Sequence, residues 1–222
     1  MLSDTYGLHE QIEIPDGDIL IHAGNFSPYG EHLGEKAYKS FTEWFCAQPH
    51  NYKIFAPGKN DSTSFSLREI YKMLNENTHF LHNNEFLANT TYIYATYEEK
   101  YYSCQIHVPV NWAEILEEQK RMIEAMKNSW DKELTHAHIL ITNHAPWGIL
   151  DDNKGCQVLA EKVKQSQPNF HVFSGTYNEY GIAKIGLTTY VNASICSFRE
   201  HKQVFNEMVI TNKPIVIELE SY

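Results

Sequence analysis

The sequence lacks the features of a membrane protein and of a secreted, disulfide-rich protein. No window of its 222 residues approaches a membrane span, and no signal-like apolar stretch follows Met1. Its four cysteines, Cys46, Cys104, Cys156 and Cys196, are widely spaced and form no C-x-x-C pair. That spacing disfavours a zinc ribbon or a disulfide framework. We therefore expect reduced, buried thiols in a cytoplasmic protein, with export by a specialised machine left open.

Basic residues are also scarce. The chain carries 18 Lys and Arg against 28 Asp and Glu, for a formal net charge of −10. Binding to a nucleic-acid backbone requires clustered basic side chains, so we expect no such partner, and the acidity favours solubility. Of all residues in the chain, 42% are hydrophobic and 13% are aromatic. At this length that is enough for one globular domain spanning residues 1–222.

Short apolar runs alternate with helical patterns through the first half, and strands are concentrated towards the end. The patterns predict strands at 17–23, 52–56, 91–95, 139–142, 170–173, 182–185, 189–193 and 215–219, and helices at 38–45, 67–74, 112–126 and 158–163. Asn83 and Asn84 predict a hairpin joining 80–81 to 85–87. This order suits an α/β protein with a four-layer α/β/β/α sandwich.

Five segments carry a recognisable pattern. They are Ser-Asp-Thr-Tyr-Gly at 3–7, Ala-Gly-Asn-Phe at 23–26, Gly-Lys-Asn-Asp at 58–61, Thr-Asn-His-Ala-Pro at 142–146 and Gly-Thr-Tyr-Asn at 175–178. In order and context they resemble the calcineurin-like metallophosphoesterases, especially the small brain-enriched metallophosphoesterase-domain subgroup. That family reads SDTHG, AGDF, GNHD, THxPP and GHxH at these places. The resemblance implies the same four-layer sandwich, and it weakens near 98–133 and 199–213, where we expect family-atypical insertions.

The beginning of the chain departs from the family pattern. A full strand precedes the first motif in the family, whereas only Met1 and Leu2 precede Ser3 here. We expect a truncated first strand. The sheet edge is rebuilt, another chain supplies a strand, or the gene product starts earlier, and the sequence does not separate these alternatives.

The resemblance also implies where a pair of metal ions (Mn, Mg, Zn or Fe) would bind, and there the side chains differ. Asp4 keeps its carboxylate, but the other family ligands are replaced by Tyr6, Asn25, Lys59, Asn143, Thr176 and Asn178, and the leaving-group histidine by Asn60. Divalent cations of this kind need imidazoles and carboxylates. We therefore expect a degenerate site that binds no metal. The resemblance then implies a pseudoenzyme of hydrolase ancestry that binds a protein or a phosphate or nucleotide ligand.

The alternative is an active but divergent phosphodiesterase or phosphatase. It would use a rebuilt metal site or metal-free chemistry by Lys59, Asp61 and His144. In a related hypothesis, the Lys59 ammonium replaces a metal by neutralising Asp4 and Asp61; the other possibility is that it points into solvent.

Three further features allow more than one interpretation. His136 and His138 could belong to a relocated metal site, although no third ligand can be named, and polar residues at a strand entrance explain them better. His22 resembles a residue beside the family's metal site and is explained as a hydrogen-bonded core histidine. A tyrosine-rich stretch could contact a protein partner or form a strand pair inside the sheet; it comprises Tyr92, Tyr94, Tyr97, Tyr101 and Tyr102.

Overall fold

The computed structural model describes residues 1–28, 35–61, 67–96, 137–199 and 207–219. Its strands are β1 (Ile19–His22), β2 (Tyr52–Phe55), β3 (Thr78–Phe80), β4 (Asn84–Ala88), β5 (Thr91–Thr96), β6 (Ile139–Thr142), β7 (Phe170–Phe173), β8 (Gly181–Ile185), β9 (Thr188–Asn192), β10 (Cys196–Arg199) and β11 (Glu207–Ile210). The helices are α1 (Glu35–Cys46), α2 (Leu67–Lys72) and α3 (Gln157–Ser166). Short 3₁₀ turns occupy His9–Gln11, Lys59–Asp61 and Tyr177–Glu179. No helix within these ranges is long and apolar enough to cross a membrane.

The strands form two main sheets. β1, β2 and β3 are parallel neighbours in one, and the other has the order β4-β5-β6-β7-β9-β8. In the larger sheet β5, β6, β7 and β9 run parallel, while β4 and β8 are antiparallel edges. β10 and β11 form a separate antiparallel pair. The carboxyl ends of the parallel strands therefore lie together at one end of each sheet.

Side chains along each strand point alternately to the two faces of its sheet, and each face packs against another layer. Ile21 and Ile54 of the smaller sheet pack with Ile141, Val172 and other residues of the larger sheet in one core between the sheets. The residues in between face outwards, because successive strand side chains point to opposite faces. The four-layer α/β/β/α arrangement predicted from the sequence is thus present.

Each outer face is covered by helices with one apolar side. On α1, Tyr38, Phe41 and Phe45 recur at a spacing of three to four residues and pack against Phe55 of the smaller sheet. On the larger sheet, Leu159 and Val163 of α3 pack with Leu140 and Phe173. On each side of the molecule, the outward-facing residues of a sheet therefore pack against the apolar side of a helix and form an outer core.

The segment that leads into Asp4 pairs with two neighbouring segments. Leu2 forms a parallel bridge to His22, and Ser3 forms one to Ser194. Backbone bonds from Leu2 N to Ile21 O (2.9 Å) and from Ser3 N to Ala193 O (2.8 Å) hold this two-residue segment in place. It therefore lies between β1 and the residues that lead into β10, and it carries Asp4 directly into the centre of the molecule.

Two predicted elements were wrong. The hairpin around Asn83 is not formed, because β3 pairs in parallel with β2 whereas β4 pairs with β5 in the other sheet. Residues 215–219 form no strand; apart from the reciprocal backbone bonds between Ile215 and Met1, no ladder follows. β10 and β11 were not predicted at all. The predicted helix at 112–126 lies outside the described residues.

Candidate functional site

The candidate site lies where the parallel strands end. Open α/β sheets place their ligands at the carboxyl ends of the strands. The loops after β1, β2, β6 and β7 meet there, together with the segment that follows Ser3. They bring Asp4, Tyr6, Asn25, Asn60 and Asn143 into one hydrogen-bonded cluster. The structure therefore brings these five positions together.

Asp4 is the centre of the cluster. It is fully buried, and its backbone has a left-handed φ of 54°. Five donor groups lie within hydrogen-bonding distance of its two carboxylate oxygens: Ser3 Oγ (2.8 Å), Tyr6 Oη (3.1 Å), Asn25 Nδ2 (2.7 Å), Gly175 N (3.2 Å) and Ser194 Oγ (2.7 Å). All five are uncharged. A carboxylate offers about four lone-pair sites, so the acceptor capacity of Asp4 is fully used by the protein itself.

Tyr6 connects Asp4 to the surface. Its hydroxyl donates to Asp4, which leaves the Tyr177 hydroxyl (2.6 Å away) to donate to Tyr6. The Tyr177 ring in turn packs edge-on against Phe198. Burial, with the nearby Asp4 carboxylate as a second cause, raises the pKa of Tyr6 far above its usual value. Tyr6 is therefore a neutral hydrogen-bond donor at a position where the family resemblance implies a metal-binding histidine.

Asn25 bridges the Asp4 cluster to the loop after β2. Its Oδ1 accepts the backbone N–H of Asn60 (3.1 Å), which turns its Nδ2 towards Asp4 (2.7 Å). The amide hydrogens thus face the carboxylate, and the amide oxygen faces away. At this position a bridging metal ligand would have to present an oxygen, so Asn25 holds the opposite orientation.

Asp61 joins the two loops through the backbone. Its carboxylate accepts the backbone N–H groups of Asn25 (2.7 Å), Ser27 (2.8 Å) and Gly58 (2.7 Å). Burial raises the pKa of Asp61 to about 7, although the hydrogen bonds from Ser27, Gly58 and Asn25 act in the opposite direction. Both oxygens point into the loops that they hold. The arrangement supports a structural role rather than the catalytic one considered for Asp61.

Asn143 locks the end of β6 against the same loops. Its Oδ1 accepts the backbone N–H of Lys59 (2.9 Å), and its Nδ2 contacts Ser174 Oγ. The packing is tight enough to require glycine: a Cβ on Gly24 would lie 2.8 Å from both Asn143 Nδ2 and Gly58 N, and a Cβ on Gly58 would lie 2.3 Å from Asn25 Oδ1. The space between these loops is filled by protein atoms.

Thr176 and Asn178 do not join the cluster. The Thr176 hydroxyl donates to the Leu150 carbonyl (3.0 Å), and Asn178 is exposed and donates to Asp152 (3.1 Å). Both side chains therefore brace the loop that follows β6. The structure places Asn178 at the surface. It links Thr176 to Asp4 only indirectly, because Thr176 Oγ1 accepts Asn192 Nδ2 (2.6 Å) and Asn192 Oδ1 lies 2.8 Å from Ser194 Oγ.

Lys59 and His144, the remaining catalytic candidates, lie at the rim. Lys59 is exposed, and the donors to Asp4 and Asp61 described above are all neutral, so neither carboxylate depends on Lys59 for its hydrogen bonds. His144 is half-buried, and burial lowers its pKa to about 4 despite the opposing effect of Asp151. It is a weak base at neutral pH. Because both Asp61 oxygens are turned towards backbone N–H groups, Asp61 does not orient either side chain for catalysis.

The other histidines considered from the sequence are His22, His136 and His138. Gly24 N–H donates to His22 Nδ1, so Nε2 carries the proton and contacts Thr5 Oγ (3.1 Å) within an aromatic core. This confirms the hydrogen-bonded burial predicted for His22. His138 is exposed at the entrance of β6 and accepts the Tyr92 backbone N–H, far along the strand from the site. His136 lies outside the described residues.

The tyrosine-rich stretch is described only in part. Tyr94 is buried in the core between the larger sheet and α3, with Tyr92 packed at its edge, as expected for strand residues. Tyr97, Tyr101 and Tyr102 lie outside the described residues.

Three contributors to the site were missed by sequence reasoning. Ser3, Ser194 and Tyr177 reach Asp4 or Tyr6 directly. Ser194 and Tyr177 are 190 and 171 residues away from their partners. Ser3 and Tyr177 each lie inside one of the five motifs, but Ser194 lies in none of them. Such long separations leave no local signal in a single sequence.

The residues present do not fit a metal pair. Within the part of the chain that the structure describes, no group of three or more His, Cys, Asp and Glu side chains could hold a metal ion. Five donor groups already surround the Asp4 carboxylate, and the amide hydrogens of Asn25 occupy the side that a shared cation would need. Metal sites of the zinc or manganese type require several anionic or imidazole ligands around one point.

Comparison with known proteins identifies the family. No protein-family model matches the chain. It is 28% identical over 98% of its length to 69% of a human protein named metallophosphoesterase domain-containing protein 1, and the mouse protein gives the same values. It is 30% identical over 90% of its length to 75% of UPF0046 protein C25E10.12 from Caenorhabditis elegans. Among solved structures, the protein TT1561 of Thermus thermophilus superposes with a TM-score of 0.54 at 12% identity, covering 86% of each chain.

The structural similarity shows the fold, and the sequence similarity extends along nearly the whole chain. On that basis the chain belongs to the calcineurin-like metallophosphoesterase family, in the group that includes the UPF0046 and metallophosphoesterase domain-containing proteins.

Proposed function

We propose that this chain is a pseudoenzyme of the metallophosphoesterase family that acts by binding a protein or a phosphate-containing ligand. The observation that carries the proposal is the environment of Asp4. Five uncharged donors from four separate segments surround this carboxylate, so the protein supplies the compensation that a cation would otherwise give.

The orientation of Asn25 supports the loss of metal binding. Its oxygen is used by the Asn60 backbone N–H, and rotating the amide to present that oxygen to a cation would break this bond and the bond to Asp4. Altering residues that merely orient metal ligands already costs about 10–100-fold in affinity or activity. Replacement of the ligands themselves therefore favours complete loss of the site.

Loss of hydrolysis would follow from loss of the metal. A metal lowers the pKa of bound water from about 15.7 towards 7, and without it about one water in 10⁸–10⁹ is ionised at neutral pH. His144 does not compensate, because its pKa of about 4 makes it a poor general base. The scaffold would then retain its loops as a binding surface, with Lys59 and the half-exposed Trp147 at the rim.

The test combines metal analysis with an assay. Protein incubated with Mn²⁺ and desalted should carry well under one ion per chain, and it should hydrolyse bis-p-nitrophenyl phosphate no faster than buffer. The matched control is Asp4→Asn, which removes the retained carboxylate. Stoichiometric metal together with turnover that Asp4→Asn abolishes would overturn the proposal.

A thermal-shift series addresses the ligand. Nucleotides and inorganic phosphate at about 100 times their dissociation constant should stabilise the chain by about 2.7 kcal/mol if one of them binds. If neither the nucleotides nor phosphate shifts the unfolding temperature, a phosphate-containing ligand is excluded and a protein partner remains.

A further inference from the structure

The strand β8 forms an unusual edge of the larger sheet. Within the described ranges it pairs only with β9. Its hairpin exposes three large apolar side chains: Ile182 (52% exposed), Ile185 (52%) and Leu187 (72%). Natural sheet edges are commonly protected by charged side chains, proline, bulges or covering elements, because open backbone groups pair readily with another strand. Lys184 is the one charged side chain on β8. Here the strand offers apolar side chains beside its open edge.

The hairpin register fixes which backbone groups are open. Lys184 lies opposite Thr189, and Thr189 N–H donates to Asn169 at the start of β7, away from β8. The pair Lys184–Thr189 is therefore one of the pairs that exchange no hydrogen bonds in an antiparallel ladder. Because such pairs alternate, Ile182 opposite Val191 is another. The N–H and C=O groups of Ile182 and Lys184 consequently face the open edge.

We infer that β8 pairs antiparallel with β8 of a second copy of this chain, about a two-fold axis through Ala183. Ile182 of each copy then exchanges two backbone hydrogen bonds with Lys184 of the other, which satisfies all four open groups on each strand. The small Ala183 side chains meet at the axis. Two six-stranded sheets become one continuous sheet.

Charge selects this register. An axis through Ile182 would leave part of the open edge unpaired. An axis through Lys184 would place the two lysines directly opposite each other, and like charges in that position are destabilising. Centring it on Ala183 places each Lys184 beside an isoleucine. Ile182 lines a cleft of about 910 Å³ together with Lys184 and Glu218 of the same chain, so the ammonium of the second copy would enter a cleft that holds one basic and one acidic side chain. The same cleft exposes Val216 (61%), which the second copy would cover.

Sedimentation of the full chain across a concentration series tests the pairing. The wild-type chain should form a dimer as its concentration approaches about 100 µM, within the range of weak association. Ile182→Lys and Ile182→Glu remove the same apolar side chain from a half-exposed position, yet they oppose Lys184 of the second copy with opposite charges. The dissociation constant of Ile182→Lys should exceed that of Ile182→Glu by at least about tenfold.

Two controls make the result specific. The double variant Ile182→Lys with Lys184→Glu should recover the dimer, and Leu87→Lys, on the opposite edge strand β4, should leave it unchanged. A wild-type chain that remains monomeric across the series overturns the inference. So does equal weakening by Ile182→Lys and Ile182→Glu, since that outcome means an apolar contact without this strand register.

Discussion

Two buried aspartates of the candidate site are held in different ways. Asp4 is surrounded by four side-chain donors and one backbone N–H, drawn from segments distant in the chain. Asp61 accepts three backbone N–H groups from the two loops beside it. The Asp4 cluster therefore depends on residue identity, whereas Asp61 depends on backbone geometry.

The contrast between backbone donors to Asp61 and side-chain donors to Asp4 shows where substitutions can alter the site. Backbone donors are present whatever the side chains are, so the Asp61 contacts need only the loop conformation and two close-packed glycines. Four of the five donors to Asp4 are hydroxyl or amide side chains. Such donors can replace a cation one substitution at a time, because each additional hydrogen bond relieves part of the cost of a buried carboxylate.

Removing the Asp61 carboxylate should have the largest effect. Asp61→Ala leaves three buried backbone N–H groups without an acceptor, each costing about 1–3 kcal/mol, so we expect a loss of at least about 3 kcal/mol in the free energy of unfolding. Urea unfolding followed by circular dichroism measures it. Asp152→Asn is the control: it removes the charge of a partly exposed carboxylate, asparagine tolerates the left-handed φ of 47° at this position, and the free energy of unfolding should stay nearly unchanged. Equal losses would contradict the structural role of Asp61.

Asn25→Asp should have the second-largest effect, because it places a second negative charge beside Asp4. The new carboxylate would lie against Asp4 at about the present 2.7 Å separation, replacing a donor by a like charge. We expect a loss of about 2–4 kcal/mol at pH 7, which diminishes as the pH falls towards 4 because one of the two carboxyl groups then takes up a proton.

The control for this substitution is Asn25→Gly. Glycine accepts the left-handed φ of 60° and removes the hydrogen bonds without adding charge, so its effect should not depend on pH in this range. Unfolding temperatures recorded from pH 4 to pH 8 compare the two variants. A pH-independent loss in Asn25→Asp would mean that the two side chains do not face each other.

These two aspartates also show what a single sequence can and cannot predict. Apolar runs located β1, β2, β6 and β7, and motifs at their carboxyl ends brought Asn25, Asn60 and Asn143 together, because parallel strands end at one side of a sheet. The sequence could not show that Asn25 turns its amide hydrogens towards Asp4, since that depends on Asn60 N–H. It also could not indicate Ser194.

The wrong hairpin has the same origin. Asn83 and Asn84 give a strong turn signal, and a chain reversal after β3 is compatible with it. Which strand pairs with which is decided by distant partners: β3 joins β2, and β4 joins β5. Residues 215–219 likewise have the composition of a strand but meet no ladder beyond Met1.

Tyr6→Phe sharpens the comparison with a smaller change. It removes one of five donors to Asp4 and leaves the ring in its place, so we expect a loss of about 1–2 kcal/mol in the free energy of unfolding. The remaining four donors still form hydrogen bonds with Asp4, whereas Asp61→Ala leaves three buried N–H groups without an acceptor. Urea unfolding measures the loss, and a value as large as that of Asp61→Ala would show that the Asp4 cluster fails as a unit.

Tyr177→Phe should have the smallest effect. Its hydroxyl donates to Tyr6 and does not contact Asp4, and the residue is half-buried, so water can replace the lost donor. We expect a loss of about 0.5–1 kcal/mol in the free energy of unfolding. Combined with Tyr6→Phe, the loss should be less than the sum of the two single losses, because both variants remove the same Tyr6–Tyr177 hydrogen bond. Strict additivity in that double-mutant cycle would show that the two hydroxyls are not coupled and that the Tyr6–Tyr177 hydrogen bond contributes nothing to stability.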